Sequence, residues 1–591
     1  MKYPHKKDVG AVVRKSGVTF RVWAPFATNV AVKGSFNDWS SDIPLESEND
    51  GYWAGEVRGA IAGQEYKYVI TNGENTFYRN DPRALHLTTS AGNSIITDTT
   101  FDWGDDHFQP VPVEQQIIYE LHVGTFFRPD PATVGTFQDV VDKLDYLAGL
   151  GVNMIELMPV SSMLMDRGWG YAIDYIYSVE SLYGGRHDFL ELIKAAHAKG
   201  IGIILDVVYN HFGPDNSLDL WRFDGWYNDD KGGIYFYNDW RASTPWGDTR
   251  PDYGRVEVQQ YIHDNVSMWA HECRVDGLRV DSTIFIRNAK GYNDDPGDDI
   301  AEGWSLLQNI TKVARKINPN LIVIAEDVGA NDYIVKSVSE GGAGFDAQWD
   351  LGFPHAMRDV LRSNDSKNIN LDIICNELTK RFNGLAFQRV IYTDSHDSAA
   401  NGSARLNEVI APGKGDGLFA RRQMLIAATI LLTTPGIPML FQGQEFMEVG
   451  SFNDWRSIDW DKAERFKGIT EAYRHLIALR RNQHDNTAGL MDWQIDIIHR
   501  DDVNKVLIYH RWKAGGPKDD TIIVINFGSQ SFDSYDVPFT REGRWIVRFN
   551  STWKGYSEDF KDEQVAPVEA AYSNGKINLP SACALIFSQD E

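Results

Sequence analysis

Apolar and polar residues alternate at every second position through much of the first hundred residues. Val18-Thr19-Phe20-Arg21-Val22-Trp23, Val30-Ala31-Val32-Lys33-Gly34, Tyr52-Trp53 and Tyr66-Lys67-Tyr68-Val69-Ile70 read as strands, with Gly, Asn and Asp breaks between them. The pattern predicts a small N-terminal β-sandwich over residues 1–105. From about Gln116 it changes to short apolar runs alternating with amphipathic stretches, the mark of repeated βα units and a parallel sheet. Eight runs stand out: 117–123, 154–160, 201–209, 275–280, 321–325, 344–349, 387–393 and 437–442. Helices are expected over 137–150, with Val140, Val141, Leu144 and Leu147 at helical spacing, and over 188–199, with Gly200 placed to stop the second. The fold class predicted for residues 106–486 is α/β, a closed (β/α)8 TIM barrel with long insertions, and an open doubly wound sheet is the alternative. Period-two alternation returns after Asn486, in 495–499, 506–511, 521–526, 545–550 and 583–587, and predicts a C-terminal antiparallel β domain, a second β-sandwich, over 487–591.

Charge narrows the partners. The 591 residues hold 58 Lys and Arg against 83 Asp and Glu, a formal net charge of −25. That field repels phosphate backbones and anionic lipid, so neither nucleic acid nor membrane is expected as a partner. Cys273, Cys375 and Cys583 are too few and too scattered for a disulfide framework or a zinc site. No apolar run is long enough to span a bilayer. A cytoplasmic location is expected. The 18 Trp and 25 Tyr are mostly structural, but some flat rings suit the apolar faces of sugars.

Polar residues gather where the barrel strands end. The third strand ends in Asp206 and runs on to Asn210 and His211, Arg279 and Asp281 lie on or after the fourth, Glu326 and Asp327 close the fifth, and His396 and Asp397 follow the seventh. Carboxylates from neighbouring strands converge on one mouth of a barrel, and a pair of them across an acetal is what retaining glycoside cleavage needs. Arg279 and Asp281, two apart on a strand, share a face, and the guanidinium would favour the ionised carboxylate. His211 and His396 suit sugar hydroxyls. Taken singly, an acid at a strand end is a helix cap or a solvated loop residue, and Arg279 is a barrel-mouth ion pair; the joint pattern carries the functional reading. His197, inside a helix, reads as structural, and Met158, Met163 and Met165 as packing.

Asp206-Val-Val-Tyr-Asn-His211, Gly277-Leu-Arg-Val-Asp281, Ile324-Ala-Glu326-Asp and Ser395-His396-Asp397 resemble, in order, the four signature regions of glycoside hydrolase family 13, the α-amylase family. The resemblance implies Asp281 as nucleophile, Glu326 as general acid/base and Asp397 as transition-state stabiliser, with Asp206, His211, Arg279 and His396 lining the same subsite. Gly170-Tyr171 resembles the family segment whose tyrosine lies under the reacting glucose, with Trp169 beside it. Gly34-Ser-Phe-Asn-Asp-Trp39 looks like the glucan-binding module of family 48, which brings forward Trp39 and Trp53 as glucan contacts. Asn210 is similar to a position beside the calcium site of many α-amylases; members acting on branched glucans often lack the ion, and no metal or other cofactor is assigned.

Ile118-Tyr-Glu-Leu-His-Val-Gly124, Arg167-Gly-Trp-Gly-Tyr171 and His211-Phe-Gly-Pro214 are similar to both glycogen branching enzymes and maltooligosyltrehalose trehalohydrolases. Asp206-Val-Val-Tyr-Asn-His leans to the second group, whereas Ala325-Glu-Asp-Val328 and Tyr392-Thr-Asp-Ser-His-Asp397 lean to the first. Asp215-Asn216-Ser217 and Ser398 depart from the trehalohydrolase pattern. The resemblance implies an α-glucan partner such as glycogen, starch or a maltooligosaccharide. It implies cleavage of α-1,4 bonds through a covalent glucosyl-Asp281 intermediate, resolved by a glucan hydroxyl to make a branch. The alternatives are a hydrolase of the same family, and a silent glucan-binding protein, which would typically have lost one of the three acids present here.

Overall fold

Eight runs in which every residue is buried pair in parallel and close on themselves. They are β1 (Ile118–Leu121), β2 (Met154–Leu157), β3 (Gly202–Val207), β4 (Gly277–Val280), β5 (Ile322–Ala325), β6 (Ala347–Trp349), β7 (Arg389–Tyr392) and β8 (Ile437–Phe441). β8 returns to pair with β1, Ile118 opposite Met439, so the open-sheet alternative is overturned. The structure, a computed structural model, describes residues 8–130, 132–165, 167–214, 218–293, 295–362 and 368–591. The Asp215–Ser217 departure lies outside them.

Each strand falls inside the run expected for it, because a strand covered on both faces is apolar throughout. The helix expected over 137–150 is two, Phe137–Val141 and Leu144–Leu150. Two adjacent β-branched residues, Val140 and Val141, weaken the helix at that point. The break places the Lys143 ammonium 3.8 Å from the centre of the Phe127 ring and 4.1 Å from that of Trp460. The second helix runs Gly185–Ala198 and ends at Gly200, whose φ of 74° is costly for any residue with a Cβ. His197, on that helix, lies between Asp106 and Asp276, 2.9 Å from each, and ties the helix to the segment before β1 and to the start of β4. Met158 and Met163 are buried, but Met165 is 58% exposed, so packing does not explain it.

An antiparallel hairpin, Ser161–Met163 with Ile173–Val179, interrupts the βα alternation after β2. Its loop carries Trp169 and Tyr171. A second insertion runs from the end of β3 to the helix Val256–Ser267. N-terminal sheets pack against it. One sheet is Gly10–Arg14, Gly17–Trp23, Tyr52–Arg58 and Glu46–Ser47; the other is built on Asn29–Gly34, Glu65–Asn72 and Asn75–Arg79. Arg79 donates to the carbonyls of Trp221, Arg222 and Phe223, and the Phe26 ring stacks on Trp226 at 4.6 Å. The strands Gly10–Arg14 and Asn75–Arg79 escape the sequence pattern because they are edge strands with little to bury.

C-terminal to the barrel, a six-stranded antiparallel sheet spans Gln494 to Ser588 with a two-stranded partner. Its docking on the barrel centres on Arg511, fully buried in Val506–Trp512. The guanidinium donates to the carbonyls of Thr433, Gly489, Leu490 and Asp492, all outside its own strand. Among the described residues, no helix is long and apolar enough to cross a membrane. Arg511→Met is similar in volume but removes all of these hydrogen bonds. It is expected to lower stability by about 3 kcal/mol, read as a reduced urea midpoint.

Candidate active site

β3 and β4 run side by side with Asp206 in register with Arg279, so both side chains enter the barrel at one level. Arg279 is 1% exposed, and its guanidinium is the point on which three carboxylates meet. Nη1 donates to Asp206 Oδ2 at 2.7 Å and to Asp281 Oδ1 at 2.8 Å, and Nη2 lies 3.0 Å from Glu326 Oε2. Trp349, on β6, lies under the guanidinium with its ring centre 4.4 Å away. Such a geometry holds a buried cation by charge and by the ring face together.

Two further groups orient the acids. Asn210 Nδ2 donates to the Asp281 carboxylate at 2.6 Å and to its carbonyl at 3.0 Å, while Asn210 Oδ1 meets His211 Nδ1. Both ends of this amide are engaged within the site. Among the described residues, no cluster of three or more His, Cys, Asp or Glu is arranged to hold a metal ion. Ser282 N–H donates to Glu326 Oε2 at 2.9 Å, which fixes that carboxylate beside the residue after Asp281.

The opposite wall comes from β1, β7 and the 167–172 segment. Glu120 grips His396 at two points, accepting its backbone N–H at 3.0 Å and facing Nδ1 at 2.5 Å. His396 Nε2 lies 3.0 Å from Tyr171 Oη, and that hydroxyl donates to Asp206 Oδ2 at 2.6 Å. The Tyr171 and His396 rings stack at 5.2 Å, with Trp169 edge-on to the imidazole at 5.8 Å. His122 holds the same loop through the carbonyl of Gly168 at 3.0 Å. Asp397, at the exposed mouth, accepts from Asn401 Nδ2 at 2.6 Å.

Protonation follows from these contacts. Burial pushes Glu326 up to about 7; Arg279 opposes the shift, while the charges of Asp281 and Asp397 reinforce it. The net shift of Asp281 is also upward, from burial reinforced by the charge of Asp206, and it is opposed by Arg279 and Asn210, which both donate to the carboxylate. His211 is driven down to about 3 by burial, so its imidazole is uncharged. For His396, burial is outweighed by Glu120 and the net shift is upward, towards the imidazolium. The pit therefore presents a carboxyl that holds a proton near neutrality beside one whose anion is doubly hydrogen-bonded.

Of the residues singled out in the sequence, Asp206, Arg279, Asp281, Glu326, His396, Tyr171 and Trp169 meet around this pit, with His211 and Asp397 on its rim. Trp39 and Trp53 belong to the N-terminal module: Trp39 lies in a turn shortly after the strand Asn29–Gly34, and Trp53 lies in the strand Tyr52–Arg58 of the other sheet. Trp53 is opposite Val22 on the inward face of its sheet, and its indole N–H donates to the Ala24 carbonyl. Glu120, Asn401 and Trp349 were missed. The signal available for Glu120 was a charged residue inside an apolar strand, which a barrel core tolerates only when paired.

Family models match the whole layout. Residues 121–219 and 213–500 match the α-amylase catalytic domain, 8–84 match carbohydrate-binding module 48, the isoamylase N-terminal domain, and 497–590 match the α-amylase C-terminal all-β domain. The 1,4-alpha-glucan branching enzyme GlgB of Oceanobacillus iheyensis is 30% identical over 572 residues, covering 91% of this chain and 86% of that protein. The enzyme of the same name from Halothermothrix orenii is 29% identical over 609 residues, 97% of this chain and 94% of that one. A pullulanase from Paenibacillus barengoltzii, solved with maltohexaose and α-cyclodextrin, shares the fold at a TM-score of 0.77 and 20% identity, covering 100% of this chain and 96% of its own. With its barrel closed and three domain models matched end to end, the chain belongs to the α-amylase family, glycoside hydrolase family 13.

Proposed function

We propose that this chain is a 1,4-α-glucan branching enzyme, acting in the cytoplasm on glycogen-like α-glucans. The carrying observation is the convergence of Asp281 and Glu326 on adjacent nitrogens of Arg279. The relatives named branching enzymes, matched over nine-tenths of the chain, support the choice of reaction. The barrel and its insertions, taken as residues 106–486, would do the chemistry, with residues 1–105 and 487–591 as flanking β domains.

In the first step Asp281 attacks the anomeric carbon while Glu326 gives its proton to the departing glycosidic oxygen. A glucosyl ester on Asp281 forms with inverted configuration. In the second step Glu326, now ionised, takes the proton of an incoming 6-hydroxyl, whose oxygen displaces Asp281; the second inversion restores the α-configuration. Asp397 would stabilise the oxocarbenium-like state, and Arg279 balances charge in both steps. Tyr171 and Trp169 would carry the reacting glucose, and Asp206, His211 and His396 would bind its hydroxyls.

Five measurements test this reading. Incubation with amylose should create α-1,6 linkages with few new reducing ends, and Asp281→Asn should lower the rate at least about a thousandfold. Reducing ends without branches would make the chain a hydrolase. Glu326 must be protonated for the first step, so activity should fall as pH rises through about 7. Glu326→Gln should lose about 100-fold or more on amylose yet keep the first step with α-glucosyl fluoride, whose leaving group needs no proton. In the N-terminal module, Trp39→Ala should weaken retention on glycogen without slowing turnover of short oligosaccharides.

A further inference from the structure

The insertion between β3 and β4 ends in a tight turn at the rim of the pit. Thr244 N–H and Oγ1–H donate to the Gly247 carbonyl, each at 2.9 Å, and Trp246 N–H donates back to Thr244 Oγ1 at 3.2 Å. Gly247 has φ 142°, which its missing side chain permits. The turn presents Trp246. One face of the indole lies on the buried His211 imidazole, ring centres 4.4 Å apart and 18° from parallel, and its edge meets Phe285 at 5.2 Å. The ring is nonetheless 44% exposed.

The turn is built to hold this exposed side chain. Arg250, fully buried, donates to the carbonyls of Ser243, Phe285, Asn288 and Ala289, so the residue before Thr244 is stapled to the helix that follows Asp281. An indole kept in one pose, with one face backed and the other open, is a platform for the apolar face of a sugar. Its position says which sugar. Tyr171, Trp169 and His396 line the β1, β2 and β7 side of the acids, whereas Trp246 meets Phe285, whose N–H donates to the carbonyl of Ser282, the residue whose own N–H holds Glu326. Glu326 is the acid that protonates the leaving oxygen, so the chain that departs and the chain that replaces it lie on its side.

We propose that Trp246 forms the binding site for the acceptor glucan, stacking under a glucose unit next to the 6-hydroxyl that attacks. This rests on the transferase reading above. When that unit is seated, its O6 attacks C1 of the ester; the C1–O bond to Asp281 breaks as C1–O6 forms, the 6-hydroxyl proton passes to Glu326, and Asp281 leaves as a carboxylate. When it is not seated, water takes the same place and gives a reducing end. Trp246 thus sets the partition between branching and hydrolysis by holding an acceptor where water would otherwise attack.

The test is the ratio of new α-1,6 linkages to new reducing ends from amylose, measured on the full chain. Both products come from one population of folded enzyme, so loss of folded protein cancels in the ratio. Trp246→Ala should lower the ratio about tenfold, and Trp246→Phe, which keeps a flat ring, should stay within about twofold of the parent. Adding maltohexaose as a free acceptor should suppress hydrolysis by the parent far more than by Trp246→Ala. An unchanged ratio in Trp246→Ala overturns the assignment. A parent chain that makes no branches overturns the transferase reading instead, so the two failures are told apart.

Discussion

One buried guanidinium governs the active site. Arg279 is almost sealed from solvent, and so are Asp206 and Asp281, with Glu326 only slightly more open. Carboxylates brought this close in a poorly solvated pit repel one another, and each loses hydration on burial. A flat, always charged cation with several donors in a fixed fork meets them together, which a lysine could not do. Trp349 beneath and Asn210 alongside complete the support. The positions of the two reacting carboxyls are consequences of where Arg279 sits on β4, and at both of them its charge opposes the upward shift that burial imposes.

Around that centre the walls are made of rings backed by buried partners. Tyr171 lies on His396, which Glu120 grips, and Trp246 lies on His211, which Asn210 holds. In both pairs an imidazole turns a polar pit into a surface for a sugar face while keeping a nitrogen in the hydrogen-bond network. The two imidazoles shift in opposite directions, His396 upward because the buried Glu120 carboxylate lies against it and His211 downward through burial. The 208–255 insertion carries one of these rings, and the N-terminal module braces it through Arg79 and Phe26. The flanking domain therefore contributes to the shape of the cleft as well as to any glucan contact of its own.

Much of this was legible along the chain. Eight apolar runs of strand length, each delivering polar residues at its end, pointed to a barrel and to its active mouth, since strands covered on both faces must be apolar and their exits need not be. The pairing of Arg279 with Asp281 followed from period two alone. Less visible were elements whose pattern is not their own. The Ser161–Met163 and Ile173–Val179 hairpin is as buried as a barrel strand but pairs antiparallel outside it. Trp53 alternates like a surface residue yet faces inward with Val22.

What the sequence determines by itself is the local periodicity, the order of the elements and the chemical type of each residue at a strand end, because these depend on neighbours a few positions away. What only the tertiary structure decided is which of those residues touch. Glu120 meets His396 across 276 residues, Asn210 meets Asp281 across 71, and Arg250 meets the carbonyls beyond Asp281 across 35 and more. Contacts of that separation exist only once the strands have paired, and Glu120 reaches His396 only across the seam that β8 closes on β1, so no local pattern encodes these partners.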